Sequence, residues 1–178
     1  MAKRTRATKL LEQAGIAFTA VVYDYDSLAR SRGLQAAEAL GEPPDRVLKT
    51  LLALVDGRPV CVIAPSDRDV SMKRLAVAFG GKSAQMMPPA DAERITGYNI
   101  GGISPFGQSR QLPTVIDIRA LSHPLVYVNG GLRGLQLQLD PACIARLLSA
   151  GTATLNSGRD ANHVSKLAGS QAQMKRAT

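Results

Sequence analysis

Between Arg46 and Ala64 the chain carries a run of apolar residues, Val47-Leu48-Lys49-Thr50-Leu51-Leu52-Ala53-Leu54-Val55, then Asp56-Gly57, then a second apolar run from Pro59 to Ala64. Asp-Gly between two apolar runs is the composition of a tight two-residue turn, so the segment reads as a β-hairpin, Arg46 to Val55 paired with Pro59 to Ala64. Side chains alternate across a strand. Val47, Lys49, Leu51, Ala53 and Val55 share one face, and Leu48, Thr50, Leu52 and Leu54 the other. Both faces are apolar, so this strand is expected to be covered on both sides.

The rest of the chain supplies what can cover it. Thr8 to Ala14 reads as a short helix stopped by Gly15, and Phe18 to Tyr25 as a strand. Gln35 to Leu40 is helical, ends at Gly41 and cannot continue past Pro43-Pro44. Ser71 to Phe79 is a helix closed by Gly80-Gly81, and Pro88 to Thr96 another, with Gly97 at its end. Thr114 to Ile118 reads as a strand. Leu125 to Val128 and Leu135 to Leu139 flank a turn at Asn129 to Gly134. Asp140-Pro141 caps a helix to Ser149, with Gly151 as its stop. The irregular element order, with several strands joined as hairpins, predicts an α+β fold with a mixed, largely antiparallel sheet, not a doubly wound one. Residues 1–156 are expected to form one domain. Residues 157–178 are polar and aperiodic and are expected to be a disordered tail.

Hydrophobic residues make up 45% of the 178, enough for a core, but aromatics are only 4% with no Trp, so that core must be aliphatic. No apolar run approaches the roughly 20 residues that cross a bilayer, and Met1 to Lys9 lacks the apolar stretch of a signal peptide. Cys61 and Cys143 are too few for a disulfide framework and lack metal-ligand spacing, which places the chain in a reduced cytosol, with no metal or cofactor expected. The net charge is +8, of which residues 1–10 hold +4, residues 158–178 hold +3 and the middle +1. Cationic ends attract a polyanion such as RNA, or serve solubility alone; charge by itself leaves both open.

Three features can carry chemistry. An ammonium at Lys49, inside an apolar strand, is costly unless paired, hydrogen-bonded or opening into a cleft. Either it reaches water along its stem from the strand's start, or it floors a pocket for a phosphate or a polarised carbonyl. Gly101-Gly102-Ile103-Ser104-Pro105-Phe106-Gly107-Gln108 is either a plain turn or a loop whose amides, with the Ser104 hydroxyl, meet an oxyanion. Asn129-Gly130-Gly131-Leu132-Arg133-Gly134 is a hairpin turn by default, with Arg133 available to a phosphate. His123 and His163 do not make a convincing general base, and Cys61 and Cys143 read as small buried apolar residues. Met86-Met87 reads as core. Asp24 and Asp26, alternating with Tyr23 and Tyr25, read as a solvated strand end. No phosphate-loop, dinucleotide or zinc signature is present.

Arg46-Val47-Leu48-Lys49-Thr50-Leu51-Leu52 resembles the lysine strand of the YbaK/EbsC family. Thr96 to Gln108 is similar to that family's Gly-Gly-Ile-Ser-Pro-x-Gly segment, and Tyr127 to Leu135 to its third block. Order and spacing agree over roughly residues 5–155. The resemblance implies a barrel-like mixed sheet and a free-standing editing protein, related to the editing domain of bacterial prolyl-tRNA synthetases, that removes cysteine from tRNA(Pro). It implies that Lys49 is functionally important and that the loop from Gly101 to Pro105 lines the substrate pocket; Gly101 and Gly102 are expected to act with Lys49 in catalysis, and Tyr23, Ile103, Ser104, Pro105, Asn129, Gly130, Gly131 and Arg133 to contact substrate. It implies aminoacyl-tRNA as substrate and prolyl-tRNA synthetase as a transient partner, with no membrane. The third block departs from the pattern: Asn129 stands where Ser often precedes the paired glycines. Alternatives are another mischarged amino acid, such as Ala-tRNA(Pro), and a non-catalytic tRNA- or synthetase-binding module.

Overall fold

The computed structural model describes residues 3–157. The expected tail over 157–178, with His163, lies outside these residues apart from Ser157, whose N–H donates to the Asp69 carbonyl at 3.0 Å.

The hairpin forms as read, β2 (Leu48–Val55) against β3 (Arg58–Pro65), with Leu48 opposite Pro65 and Val55 opposite Arg58. Asp56 and Gly57 both adopt positive φ, 47° and 79°, the backbone that matches a two-residue turn to the twist of its strands. Around this hairpin a five-stranded sheet runs in the order β4-β2-β3-β5-β8, where β4 is Ala84–Met86, β5 Thr114–Asp117 and β8 Gly151–Ala153. A second sheet has β1 (Thr19–Val22), β7 (Leu135–Leu139) and β6 (Val126–Asn129) in the order β1-β7-β6. The β3–β5 and β5–β8 pairs are parallel and the other strand pairs antiparallel. A parallel bridge, Val47 to Tyr127, joins the two sheets of this mixed, largely antiparallel α+β fold.

Helices α1 (Arg6–Gln13), α2 (Arg32–Leu40), α3 (Met72–Ala78), α4 (Pro89–Thr96) and α5 (Pro141–Leu148) supply the covering layers. Their starts follow from local chemistry: the Thr5, Ser31, Ser71 and Asp140 side chains each accept a backbone N–H of the first turn. The main core joins Leu11, Leu48, Ile63, Phe106, Ile116, Leu137 and Ile144, all buried. Each such Leu or Ile contributes about 1.5–3 kcal/mol of apolar burial. Leu75, Val62 and Val115 pack on the other face of the hairpin, so β2 is covered on both sides as its composition requires.

Several expectations are corrected. Gly151 does not stop α5: Ser149 ends it in the left-handed conformation at φ 50°, and Gly151 opens β8. Met86 is on an edge strand and 48% exposed, while Met87 is buried. The strand expected over Phe18–Tyr25 is shorter, ending at Val22, with the Tyr23 N–H continuing to the Gly134 carbonyl at 2.9 Å. Cys143 is half-buried, not core.

Candidate active site

β4 covers β2 only at Ala53 to Val55, with the Met87 N–H reaching the Leu52 carbonyl at 3.1 Å, and β6 touches only its beginning. Leu48 to Leu51 therefore form an uncovered edge. Because the Ser66 N–H binds the Val47 carbonyl, the odd-numbered residues of β2 turn their main-chain groups to β3. The alternation then turns those of Thr50 toward the gap.

A cavity of about 330 Å³ opens at this edge. Its walls are Leu48, Lys49, Thr50 and Leu52 of β2, Met87, Pro89 and Ala92 at α4, Ile100, Gly101 and Ile103, the α2 start at Ser31 to Gly33, and Tyr23, Asn129 and Gln136. No Asp, Glu or His side chain is among the described residues lining it. Leu48 and Leu52 pack on the side of Phe106 and Ile103, whereas Leu51 packs toward Leu75 and Met72. Lys49 leaves the sheet on Leu51's side by the two-residue period. It shares a cavity with Gly101 because the opening lies at a strand edge and meets both faces.

The Lys49 ammonium donates to the Arg68 carbonyl at 2.6 Å, on the loop between β3 and α3. Burial pulls its pKa below the ordinary lysine value, and the nearby Asp69 and Asp67 carboxylates partly oppose this. Across the cavity, Gly101 sits at φ 87°, and a Cβ there would lie 2.5 Å from Tyr25 Oη and 3.4 Å from Arg133 Nε. The Gly101 carbonyl accepts from Asn129 Nδ2 at 3.2 Å. Its N–H has no acceptor among the described residues. Tyr23 is raised above the ordinary tyrosine value by burial, with the Gln136 amide opposing and Tyr25 adding to the rise.

Of the residues singled out in the sequence, Lys49, Gly101, Ile103, Tyr23 and Asn129 meet at one cavity. The others are spent elsewhere. Gly102 is buried and its N–H donates to the Asn99 carbonyl at 2.9 Å, so this amide is not free for an oxyanion. Ser104 is fully buried, with its Oγ accepting the Phe106 N–H at 3.2 Å, and Pro105 is buried outside the lining. The Gly130 N–H closes the hairpin to Leu135, and the Gly131 N–H donates to Asn129 Oδ1 at 2.7 Å. Arg133 stands outside the lining, its Nε on the Ile100 carbonyl at 2.9 Å.

Two lining residues passed unnoticed in the sequence. Thr50 Oγ1 and Gln136 Oε1 are buried without a hydrogen-bond partner among the described residues. Buried polar atoms are normally satisfied, so two unpaired ones on residues lining one cavity stand out. Gln136 alternates with Leu135 and Leu137, a pattern that reads as a solvent-facing strand residue, yet it is only 4% exposed.

The aminoacyl-tRNA editing domain family matches residues 32–147, about two thirds of the chain, a range that holds β2 and most of the cavity lining. The chain belongs to this family. Among relatives of the editing domain, the Enterococcus faecalis protein named "Putative Cys-tRNA(Pro)/Cys-tRNA(Cys) deacylase EbsC" is 30% identical over 158 residues, 87% of this chain and 94% of that one. A proline–tRNA ligase of Acidithiobacillus ferrooxidans is 31% identical over 87 residues, but those are only 15% of the ligase. A crystal structure of "a putative trans-editing enzyme for prolyl tRNA synthetase" superposes with TM-score 0.74 at 23% identity, covering 88% of this chain and all of that one, which shows the shared fold. Among the described residues no helix is long and apolar enough to cross a membrane.

Proposed function

We propose that this editing domain removes cysteine misattached to tRNA(Pro), with the aminoacyl ester seated in the cavity between Lys49 and Gly101. The observation that carries this is the cavity itself. The Lys49 ammonium and the unengaged Gly101 amide belong to one lining, with Thr50 and Gln136 among largely aliphatic surfaces. Such a space suits a small side chain and an α-ammonium. Selection after charging is needed because a pocket that accepts proline cannot strongly exclude cysteine of similar volume. The named deacylase relative supports the same substrate class.

In this reading the Gly101 N–H donates to the ester oxygen as negative charge develops there, and removal of one such donor typically costs about 10²–10³-fold in rate. Lys49 holds the ribose of the terminal adenosine. With no carboxylate or imidazole in the described lining, the nucleophile comes from the substrate or from water. In the thiol route the cysteine sulfur, having lost its proton to solvent, attacks the ester carbon. The C–O bond breaks, the ribose oxygen takes a proton, and the cyclic thioester is then opened by water. Cys61 is not a competitor as nucleophile: it is buried and its thiol is pushed up to about 11 by desolvation. Prolyl-tRNA synthetase, part of which this chain resembles, would supply the choice of tRNA.

The test is a deacylation panel of Cys-, Ala- and Pro-tRNA(Pro) with the wild type and Lys49→Ala. Cysteine release lost in Lys49→Ala supports the reading. Preferred release of alanine would replace the substrate, and no release from any of the three would leave a tRNA- or synthetase-binding module. Free cysteine as the sole product from the earliest time point would favour water over the thiol.

A further inference from the structure

We propose that Tyr25, Arg32 and Arg133 form a clamp at the cavity mouth for the phosphodiester that precedes the terminal adenosine of the RNA. This rests on the editing function, since it assigns the path of the strand leaving the same cavity. Arg32 lines the cavity, and its Nε donates to Tyr25 Oη at 3.1 Å. From the other side, the Arg133 guanidinium carbon lies 5.7 Å from the Tyr25 ring centroid. Arg133 Nε is held by the Ile100 carbonyl, one residue before Gly101. Both arginines are exposed. Each spends its Nε–H on fixing the group in place, and among the described residues no hydrogen bond or ion pair occupies the terminal nitrogens of either. Two anchored guanidinium forks about one tyrosine present donors in the geometry that phosphate oxygens accept.

The neighbouring acids do not cancel this arrangement. Asp26 turns its carboxylate back to the Leu28 N–H at 2.8 Å, and neither arginine forms an ion pair among the described residues. The location is also specific. Tyr25 Oη is the atom that a side chain at position 101 would strike, with Arg133 Nε beside it at 3.4 Å. On this proposal a strand whose last ester lies at Gly101 leaves the cavity past Arg32 and Arg133.

The test measures binding of an uncharged CpCpA trinucleotide to the whole protein as a function of salt, for the wild type, Arg32→Gln, Arg133→Gln and Tyr25→Phe. Each arginine variant is expected to weaken binding about tenfold at low salt. Each should also flatten the slope of log affinity against log salt by about 0.7, the value for one contact to a single-stranded phosphate. Adenosine, which lacks the phosphodiester, should bind all four proteins alike. Unchanged trinucleotide affinity and slope in Arg32→Gln, or no binding by the wild type, overturns the clamp. Arg133→Gln also loses the Ile100 anchor, so Arg133→Lys, which keeps the charge, must retain most of the salt slope. A wild type that binds the trinucleotide yet deacylates nothing would sink the editing reading and leave the clamp standing.

Discussion

Asn129 holds Gly101: its Nδ2 donates to the Gly101 carbonyl and to the Leu132 carbonyl, both at 3.2 Å, while its Oδ1 accepts the Gly131 N–H. One side chain thus ties the hairpin after β6 to the loop that forms the cavity's glycine wall. Its amide is engaged by protein, which makes Asn129 a positioning residue more than a substrate donor. Asn129→Ala removes three hydrogen bonds worth about 0.5–1.5 kcal/mol each. A displacement of about 1 Å at the site can cost on the order of 10²-fold. The expected outcome is a kcat lowered about that far with KM little changed, seen in single-turnover deacylation beside a thermal melt. Unchanged kcat in a protein that melts earlier would confine Asn129 to stability.

Lys49→Met separates function from stability. The folded state makes the Lys49 ammonium harder to charge, since burial lowers its pKa below the ordinary lysine value. Near neutral pH the group is charged in both folded and unfolded chains, and the fold carries the cost of that charge. As pH rises past the lowered value and on toward the ordinary one, the folded group is neutral and the cost disappears. The wild type should therefore gain stability relative to Lys49→Met with rising alkaline pH, while at neutral pH the variant is at least as stable. Deacylation should fall about 10²-fold or more, as when an electrostatic contact to the reacting group is lost. Denaturant melts at pH 7 and pH 10 check the first part; a stability gap that widens toward pH 10 in favour of Lys49→Met contradicts it.

The two cysteines should be told apart by a thiol reagent. Cys61 is 1% exposed and its thiol sits at about 11, raised mainly by burial. The thiolate is the reactive form, so Cys61 is both hidden and protonated near neutral pH. Cys143 is half-buried, with Arg146 Nη2 at 3.3 Å from its sulfur. Titration of the native protein at pH 8 is expected to find one fast thiol, and a second only in denaturant. Two fast thiols in the native state would mean that β3 opens readily.

Some of this was written plainly in the residues. Asp56-Gly57 set the hairpin, Ser71 and Asp140 set helix starts, and Gly41 and Gly97 set helix ends. Lys49 stood out because it breaks the apolar pattern around it. What escaped notice depends on long-range packing. Ala84-Gln85-Met86 is too short to alternate, and becomes a strand only because β2 offers it an edge. Gly151 has the composition of a stop, yet pairs with Val115. Gly102 and Ser104 look identical in kind to Gly101 in a glycine-rich loop, and only the register of the turn shows their groups already engaged. Gln136 has the spacing of a surface residue, and its burial arises from the cavity wall opposite.

The last prediction concerns the wall that α2 supplies. At Gly33 the helix lies so close to β3's end that an added Cβ would be inside van der Waals contact of Ser66 Oγ and 2.7 Å from Ser66 Cβ. Rotating the serine moves its hydroxyl but not its Cβ, and the hydroxyl already donates to the Val47 carbonyl at 2.5 Å. Alanine ordinarily stabilises a helix over glycine by about 1 kcal/mol, while overpacking a filled contact costs about 1–3 kcal/mol. The second effect should win: Gly33→Ala is expected to lose about 1 kcal/mol net and, by pushing the start of α2 from the cavity, to raise KM. Ser66→Gly removes the opposing Cβ, so in the double variant the helix gain should reappear. A double-mutant cycle should give a favourable coupling of about 1–2 kcal/mol between the two sites. If Gly33→Ala alone stabilised the protein, α2 would stand farther from β3 than this geometry has it, and the cavity wall at Ser31 to Gly33 would have to be redrawn.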